Sequence, residues 1–178
     1  GSMVVGINSW DDQWNQRGYT YNTISGELSI LEMSEECPWW DWFCFGSKPF
    51  NPYDISDDGT MVGAFGTASG AGATIVNDVL GTQKLVDFLK GQGVMNANDL
   101  GVASTANKIS SNGKHIVGWT AVDGYFGSFK LTLDQLYVCR KGKTRQVGYP
   151  GGVADQLMQG ATLGMCEADL PLQYKSNF

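Results

Sequence analysis

Any chemistry in this chain would have to come from carboxylates, because the other usual donors are scarce. The single histidine, His115, stands between Lys114 and Ile116. A Ser-His-Asp site would need it, and no Gly-x-Ser-x-Gly turn presents a serine. Its place at the head of an apolar run reads as an ordinary strand or turn position. Two acidic groups remain: Glu35 and Glu36 with Asp41, and Asp11 with Asp12. Either could act as acid and base on a glycosidic bond, if two carboxyls stood about 5 Å or about 6.5–9.5 Å apart across a cleft. Loop acids are more often simply solvated, so glycosidase ranks third, behind two non-catalytic readings.

The same two stretches carry the tryptophans. Trp10 and Trp14 flank Asp11 and Asp12, while Trp39, Trp40 and Trp42 surround Asp41. An aromatic face beside carboxylates suits sugars, since a ring stacks on C–H groups while carboxylates accept from hydroxyls. The expected ligand-binding residues are therefore Trp39, Trp40, Trp42 and Asp41, with Trp10 and Trp14, and the expected partner is a glycan or a surface protein. The competing reading turns the aromatics inward, as a plug for an open sheet edge or a pad against a neighbouring repeat. For Trp10 to Trp14 it is a hairpin loop whose tryptophans cap the core edge.

Four cysteines form two local pairs, Cys37 with Cys44 and Cys139 with Cys166. An even count in a loop-rich chain of low charge favours disulfides and an oxidising compartment. A Cys37–Cys44 bridge would close a small loop around the tryptophans and restrict it by roughly 2–3 kcal/mol. Free thiols and four-cysteine zinc are the alternatives, and for zinc the spacings are wider than the short knuckles of structural sites. No metal and no cofactor are expected. The 178 residues include 24 glycines, are 42% apolar and only 17% charged, which suits a turn-rich β protein. A net charge of −6 opposes nucleic acid and anionic membrane surfaces. No apolar run approaches the ~20 residues of a membrane span.

The elements that must position these residues repeat. Ile55-Ser-Asp-Asp-Gly-Thr-Met-Val-Gly63 is echoed by Ile109-Ser-Ser-Asn-Gly-Lys-His-Ile-Val-Gly118, and Val4-Val5-Gly6 opens the chain as a weaker third copy. Asp-Gly and Asn-Gly between apolar runs predict tight primed hairpin turns with positive φ. A second strand follows each Val-Gly: Gly18–Thr23, Ala73–Asn77 and Gly127–Leu133. The first copy lacks the turn before it, so the pattern reads as starting in mid-repeat. Glu27 to Met33 pairs back across Ser25-Gly26. Trp119, Tyr125, Phe126 and Phe129 should supply core or rim.

Repeats of this form resemble the bacterial extracellular HAF repeat, over roughly residues 3–133. The resemblance implies antiparallel propeller-like blades in a secreted or surface protein. The His-Ala-Phe signature is not kept: the corresponding strands read Gly18-Tyr19-Thr20, Gly72-Ala73-Thr74 and Gly127-Ser128-Phe129. The fold class expected is mainly β, a partial array of such blades with one or two short helices and a small disulfide-stapled C-terminal module. The domains expected are 3–135, with the Cys-bracketed Trp-rich insertion at 34–47, then 136–168 and a tail at 169–178.

Between these landmarks, Lys48 to Tyr53, with Pro49 and Pro52, reads as a rigid connector. Gly66 to Gly72 is a flexible turn that lacks the Gly-Lys-Ser/Thr of a phosphate loop. Leu85, Phe88 and Leu89 at helical spacing predict a helix from Thr82, its N-cap, to Lys90, with Gly91 as the stop. Gly93 to Ala106 reads as a loop. Residues 137–166 resemble a Cys-flanked module of bacterial surface proteins, Val-Cys-His-x-Gly-Lys-Thr … Ala-x-Leu-x-His-Gly-Asp … Gly-x-Cys. Arg140, Gln159 and Ala161 replace its two histidines and its aspartate, so a metal site built from those groups could not form here. Arg140, Lys141, Lys143 and Arg145 make a basic hairpin face, solvated or aimed at an acidic partner. From Glu167 onward the tail is polar and expected to be loosely held. Open sheet edges in an incomplete blade invite self-association.

Overall fold

The computed structural model describes residues 2–7, 17–31, 34–36, 47–65, 72–100, 103–122 and 124–174. Strands β1 (Met3–Ile7), β2 (Gly18–Asn22) and β3 (Leu28–Leu31) form an antiparallel meander. β4 (Ser34–Glu36), β5 (Ser47–Ile55), β6 (Met61–Phe65), β7 (Gly72–Asn77) and β8 (Gly81–Lys84) follow as a five-stranded antiparallel sheet in sequence order. Helix α1 (Leu85–Gly91) and a 3-10 turn (Ala97–Leu100) lead to β9 (Ala103–Ile109), β10 (His115–Val122) and β11 (Tyr125–Thr132), a third sheet with β10 in the middle. The chain ends in β12 (Gln135–Arg140), β13 (Lys143–Gly148), helix α2 (Gly151–Met158) and β14 (Thr162–Leu163), with β12 central. The protein is mainly β and antiparallel, and the described strands close into neither a barrel nor a propeller.

The two strong repeats fold alike down to their hydrogen bonds. In the first turn the Ser56 hydroxyl donates to Asp58 Oδ1 at 2.5 Å and the Thr60 amide to the same oxygen at 3.1 Å. In the second the Ser110 hydroxyl donates to Asn112 Oδ1 at 2.7 Å and the Lys114 amide to it at 3.1 Å. Gly59 (φ +84°) and Gly113 (φ +72°) adopt the left-handed region, as expected. The residues before them do not, so these are not two-residue primed turns. Each is a four-residue turn closed by the glycine amide on the serine carbonyl, braced by the Asp or Asn side chain. The turns also touch: the Asp57 amide donates to the Ser111 carbonyl at 2.8 Å.

The Val-Gly glycines are kept by backbone crowding. β5 and β6 slip register between Pro52 and Asp54, opposite Gly63; β9 and β10 slip between Val117 and Gly118. A Cβ on Gly63 would lie 2.0 Å from the Asn51 carbonyl oxygen, and one on Gly118 lies 1.9 Å from that of Thr105. Each bulge pushes a carbonyl into the space a side chain would need. This also explains Pro52. The stretch read as a connector is the nine-residue β5, and Pro52 fits because it sits at the bulge.

One core spans the repeats and the C-terminal segment. Val62, Ile75, Leu85, Ile116, Leu133, Val138 and Val153 are fully buried in it. A second cluster, Phe50, Phe65 and Val76, packs with Leu31 of β3. The helix begins later than its spacing suggested, because Thr82 is the register partner of Val76 in β8 and Lys84 takes the N-cap place without a side-chain cap. The expected loop at 93–106 contains the 3-10 turn and the start of β9. Cys139 and Cys166 form a disulfide across 27 positions. Nor is the start of the tail loose: the Tyr174 hydroxyl donates to the Val94 carbonyl at 2.6 Å and accepts from the Ala97 amide at 3.2 Å.

Gly63→Ala and Gly118→Ala should each cost about 2–4 kcal/mol in urea unfolding, whereas Gly148→Ala, with open space at its Cβ, should cost less than about 1 kcal/mol. Replacing both Cys139 and Cys166 by serine should lower stability by about 3–4 kcal/mol from the lost loop constraint.

Candidate functional site

Trp39, Trp40, Asp41 and Trp42, the cysteines Cys37 and Cys44, and Trp10 to Trp14 lie outside the described residues. The two feet of the insertion are described. β4 pairs with β5 with Glu36 opposite Ser47 and Ser34 opposite Pro49, so residues 37–46 leave and re-enter the sheet side by side.

Among the described residues an aromatic surface lies on β9–β11. The β10–β11 register places Val117 opposite Lys130, Trp119 opposite Ser128 and Ala121 opposite Phe126. Side chains alternate across a strand, so these residues share one face. The other face carries Ile116, Phe129 and Leu131 into the core. On the outer face Phe126 is 82% exposed. The Trp119 and Phe126 rings lie 5.9 Å apart and tilted by 57°. Beside them a depression of about 570 Å³ is lined by Trp119, Asn107, Ser128 and Lys130, with Gly118 included. The Asn107 amide oxygen accepts from the Thr105 hydroxyl at 3.0 Å, which orients its amide. An apolar ring plane, an oriented amide, a hydroxyl and a cation around one hollow can hold a polar ring by stacking and hydrogen bonding. The sequence held a signal for this site, Trp-x6-Phe directly after the Val117-Gly118 landmark, but the signal pointed equally to core.

A polar junction lies beside the core, around Tyr149. Asn77 donates from Nδ2 to the Thr60 hydroxyl at 3.1 Å and also to the Tyr149 hydroxyl. The Asn77 amide oxygen accepts from the Val79 and Leu80 amides at 3.0 and 2.6 Å. Burial alone would raise the Asp58 carboxyl, but hydrogen bonds from Ser56 and Thr60 outweigh it and hold the group below its ordinary value. Burial pushes the Tyr149 hydroxyl up, and the charge of Asp58 adds to the rise. This junction ties the first strong turn to the C-terminal segment. Its groups are satisfied by one another, which marks it as structural.

In the C-terminal segment, Arg140 donates from Nη1 to Gln159 Oε1 at 2.5 Å and to Gln156 Oε1 at 3.5 Å. The two positions that depart from histidine in the module pattern are thus neighbours. Lys141, Lys143 and Arg145 lie on the same hairpin, whose turn has Lys141 at φ +50° and Gly142 at φ +70°. Gln92 docks the segment to α1: its Oε1 accepts from the Tyr137 amide at 2.6 Å and its Nε2 donates to the Tyr137 carbonyl at 3.2 Å. Among the described residues no three His, Cys, Asp or Glu side chains converge as a metal site. Nor is any described helix long and apolar enough to cross a membrane. No protein-family model matches the chain, and no curated protein matches it.

The junction gives a pH signature. A carboxyl with a lowered folded pKa stabilises above its unfolded value of about 3.9, and that stability is lost as pH falls through the folded value. Asp58→Asn should therefore flatten the acid limb of stability below about pH 4. Tyr149 is the reverse case, with a contribution present below about pH 10 and lost as pH rises through its raised value. Tyr149→Phe should remove that alkaline loss and cost about 1–2 kcal/mol at neutral pH, since Asn77 and Thr60 lose a partner. Thermal unfolding across the pH range reads both.

Proposed function

We propose that this chain is a non-catalytic binding module of a secreted or cell-surface bacterial protein, built from HAF-like repeats, and that it recognises a glycan through its aromatic surface. The observation that carries this reading is the exposed Phe126 ring packed beside Trp119, next to the hollow around Gly118. A contiguous aromatic patch rimmed by polar groups marks an interaction surface, where singly scattered apolar residues do not. The Trp-rich stretch at Trp39, Trp40 and Trp42, with Asp41, is a second contact in this proposal, and Trp10 and Trp14 a third. The Cys139–Cys166 disulfide supports an oxidising compartment. The repeated turn and bulge support successive propeller-like blades.

The alternative is structural: terminal blades of a longer extracellular array. The open face of β9–β11 favours it too, because a following blade would cover such a face.

A glycan-array screen separates the two. The native chain should bind a defined set of glycans, and Trp119→Ala should weaken that binding at least about tenfold, or about 1.4 kcal/mol, with the fold intact by circular dichroism. A joint Trp39→Ala, Trp40→Ala, Trp42→Ala variant reports the contribution of the insertion. Absence of binding by the native chain across the array would favour the structural reading.

A further inference from the structure

We propose that two copies of this chain associate through the outer edge of β11, pairing it antiparallel with itself about a two-fold axis at Ser128.

The internal repeat shows what that edge is shaped for. Gly63 faces Thr74 and Gly118 faces Phe129, so Thr74–Asn77 of β7 correspond to Phe129–Thr132 of β11. In the middle repeat this edge is occupied: β8 pairs Lys84 to Gly81 against Thr74 to Asn77. In the first repeat β3 pairs with Gly18–Tyr21, around Tyr19, which faces Gly6. In the third, the chain turns away after Leu133, and β12 pairs with β13 and β14 instead. Among the described strands only β10 pairs with β11.

An edge of this kind is normally blunted by shortness, proline, a bulge or inward charge. β11 is eight residues long with no proline, its register with β10 is unbroken, and Lys130 is its one charge. The bulge of this sheet lies on the far side, between β9 and β10.

The strand is also self-complementary. A two-fold axis perpendicular to the sheet pairs residues of the same face. Centred on Ser128, it sets Phe126 opposite Lys130, Gly127 opposite Phe129 and Tyr125 opposite Leu131. Lys130 then meets an aromatic face and no like charge. Phe129 stands opposite a glycine there, so its ring stays over Gly118, as that of Tyr19 lies over Gly6, and nothing crowds the new pair. The two three-stranded sheets become one continuous sheet, and Phe126, 82% exposed in the single chain, gains a partner.

Sedimentation equilibrium over a concentration series, combined with cross-linking, tests this. The native chain should show a monomer–dimer equilibrium. Ser128→Lys, which opposes two like charges at the axis, should weaken it at least tenfold without changing the circular dichroism. Ser128→Cys should oxidise rapidly to a covalent dimer, while Ser25→Cys, in the exposed β2–β3 turn, should not. A native chain that stays monomeric, a dimer indifferent to Ser128→Lys, or Ser128→Cys cross-linking no faster than Ser25→Cys would each overturn the proposal. Glycan binding is read separately, so its presence or absence leaves this result unaffected.

Discussion

The structure depends on a carbonyl oxygen standing where a side chain would be. In each strong repeat, the strand before the turn carries one extra residue, and the bulge drives a carbonyl toward the partner strand at Gly63 or Gly118. The bulge bends and twists its strand locally. That bend accompanies the packing of β9 against β5, β6 and β7, and places Val62, Ile75, Ala106 and Ile116 in one core. A methyl group at either glycine would meet backbone, which cannot swing aside as a flexible side chain can.

The turns carry the same logic one step further out. Each is braced by a serine and an Asp or Asn, and the two braces meet through the Asp57 amide and the Ser111 carbonyl. Asp54 strengthens the seam: its Oδ2 accepts from the Ile109 amide at 2.9 Å, and Lys108 lies 3.7 Å from its Oδ1. Successive repeats are thus joined by backbone and partly buried polar contacts as well as by apolar packing. The C-terminal segment joins at the Thr60–Asn77–Tyr149 cluster and at Gln92, whose amide pairs with Tyr137 much as a strand would. Repeats and segment therefore share a core, although their sequences differ in character.

What was legible in the sequence was what recurs. The Val-Gly landmarks, the Asp-Gly and Asn-Gly turns, the strands after them, the β12–β13 hairpin and the Cys139–Cys166 pair all carry local signals that the fold obeys. What was hidden depends on a partner elsewhere in the chain. β5 holds two prolines that speak against a strand, and only the bulge opposite Gly63 makes room for Pro52. β9, Ala-Ser-Thr-Ala-Asn-Lys-Ile, is mostly small and polar, and Ser104 and Thr105 are buried because neighbouring strands cover them. Thr82 looked like a helix cap because caps and strand ends favour the same residue. Tyr174 gave no local sign that its hydroxyl would bind the 94–97 turn. For the aromatic site, residue type signalled rings but not which face they occupy. Phe129 and Phe126 stand three positions apart on one strand, and alternation sends one to the core and the other to water.

The pairing of β4 with β5 has a consequence for how such a protein can change. The chain departs at Glu36 and returns at Ser47 on adjacent strands of the same ladder. Whatever lies between them spans a gap the sheet has already closed, so the β4–β5 ladder places no demand on the length of the connection. A residue can be added there or removed without shifting the register of either strand, much as a tip can be changed without altering the handle that holds it.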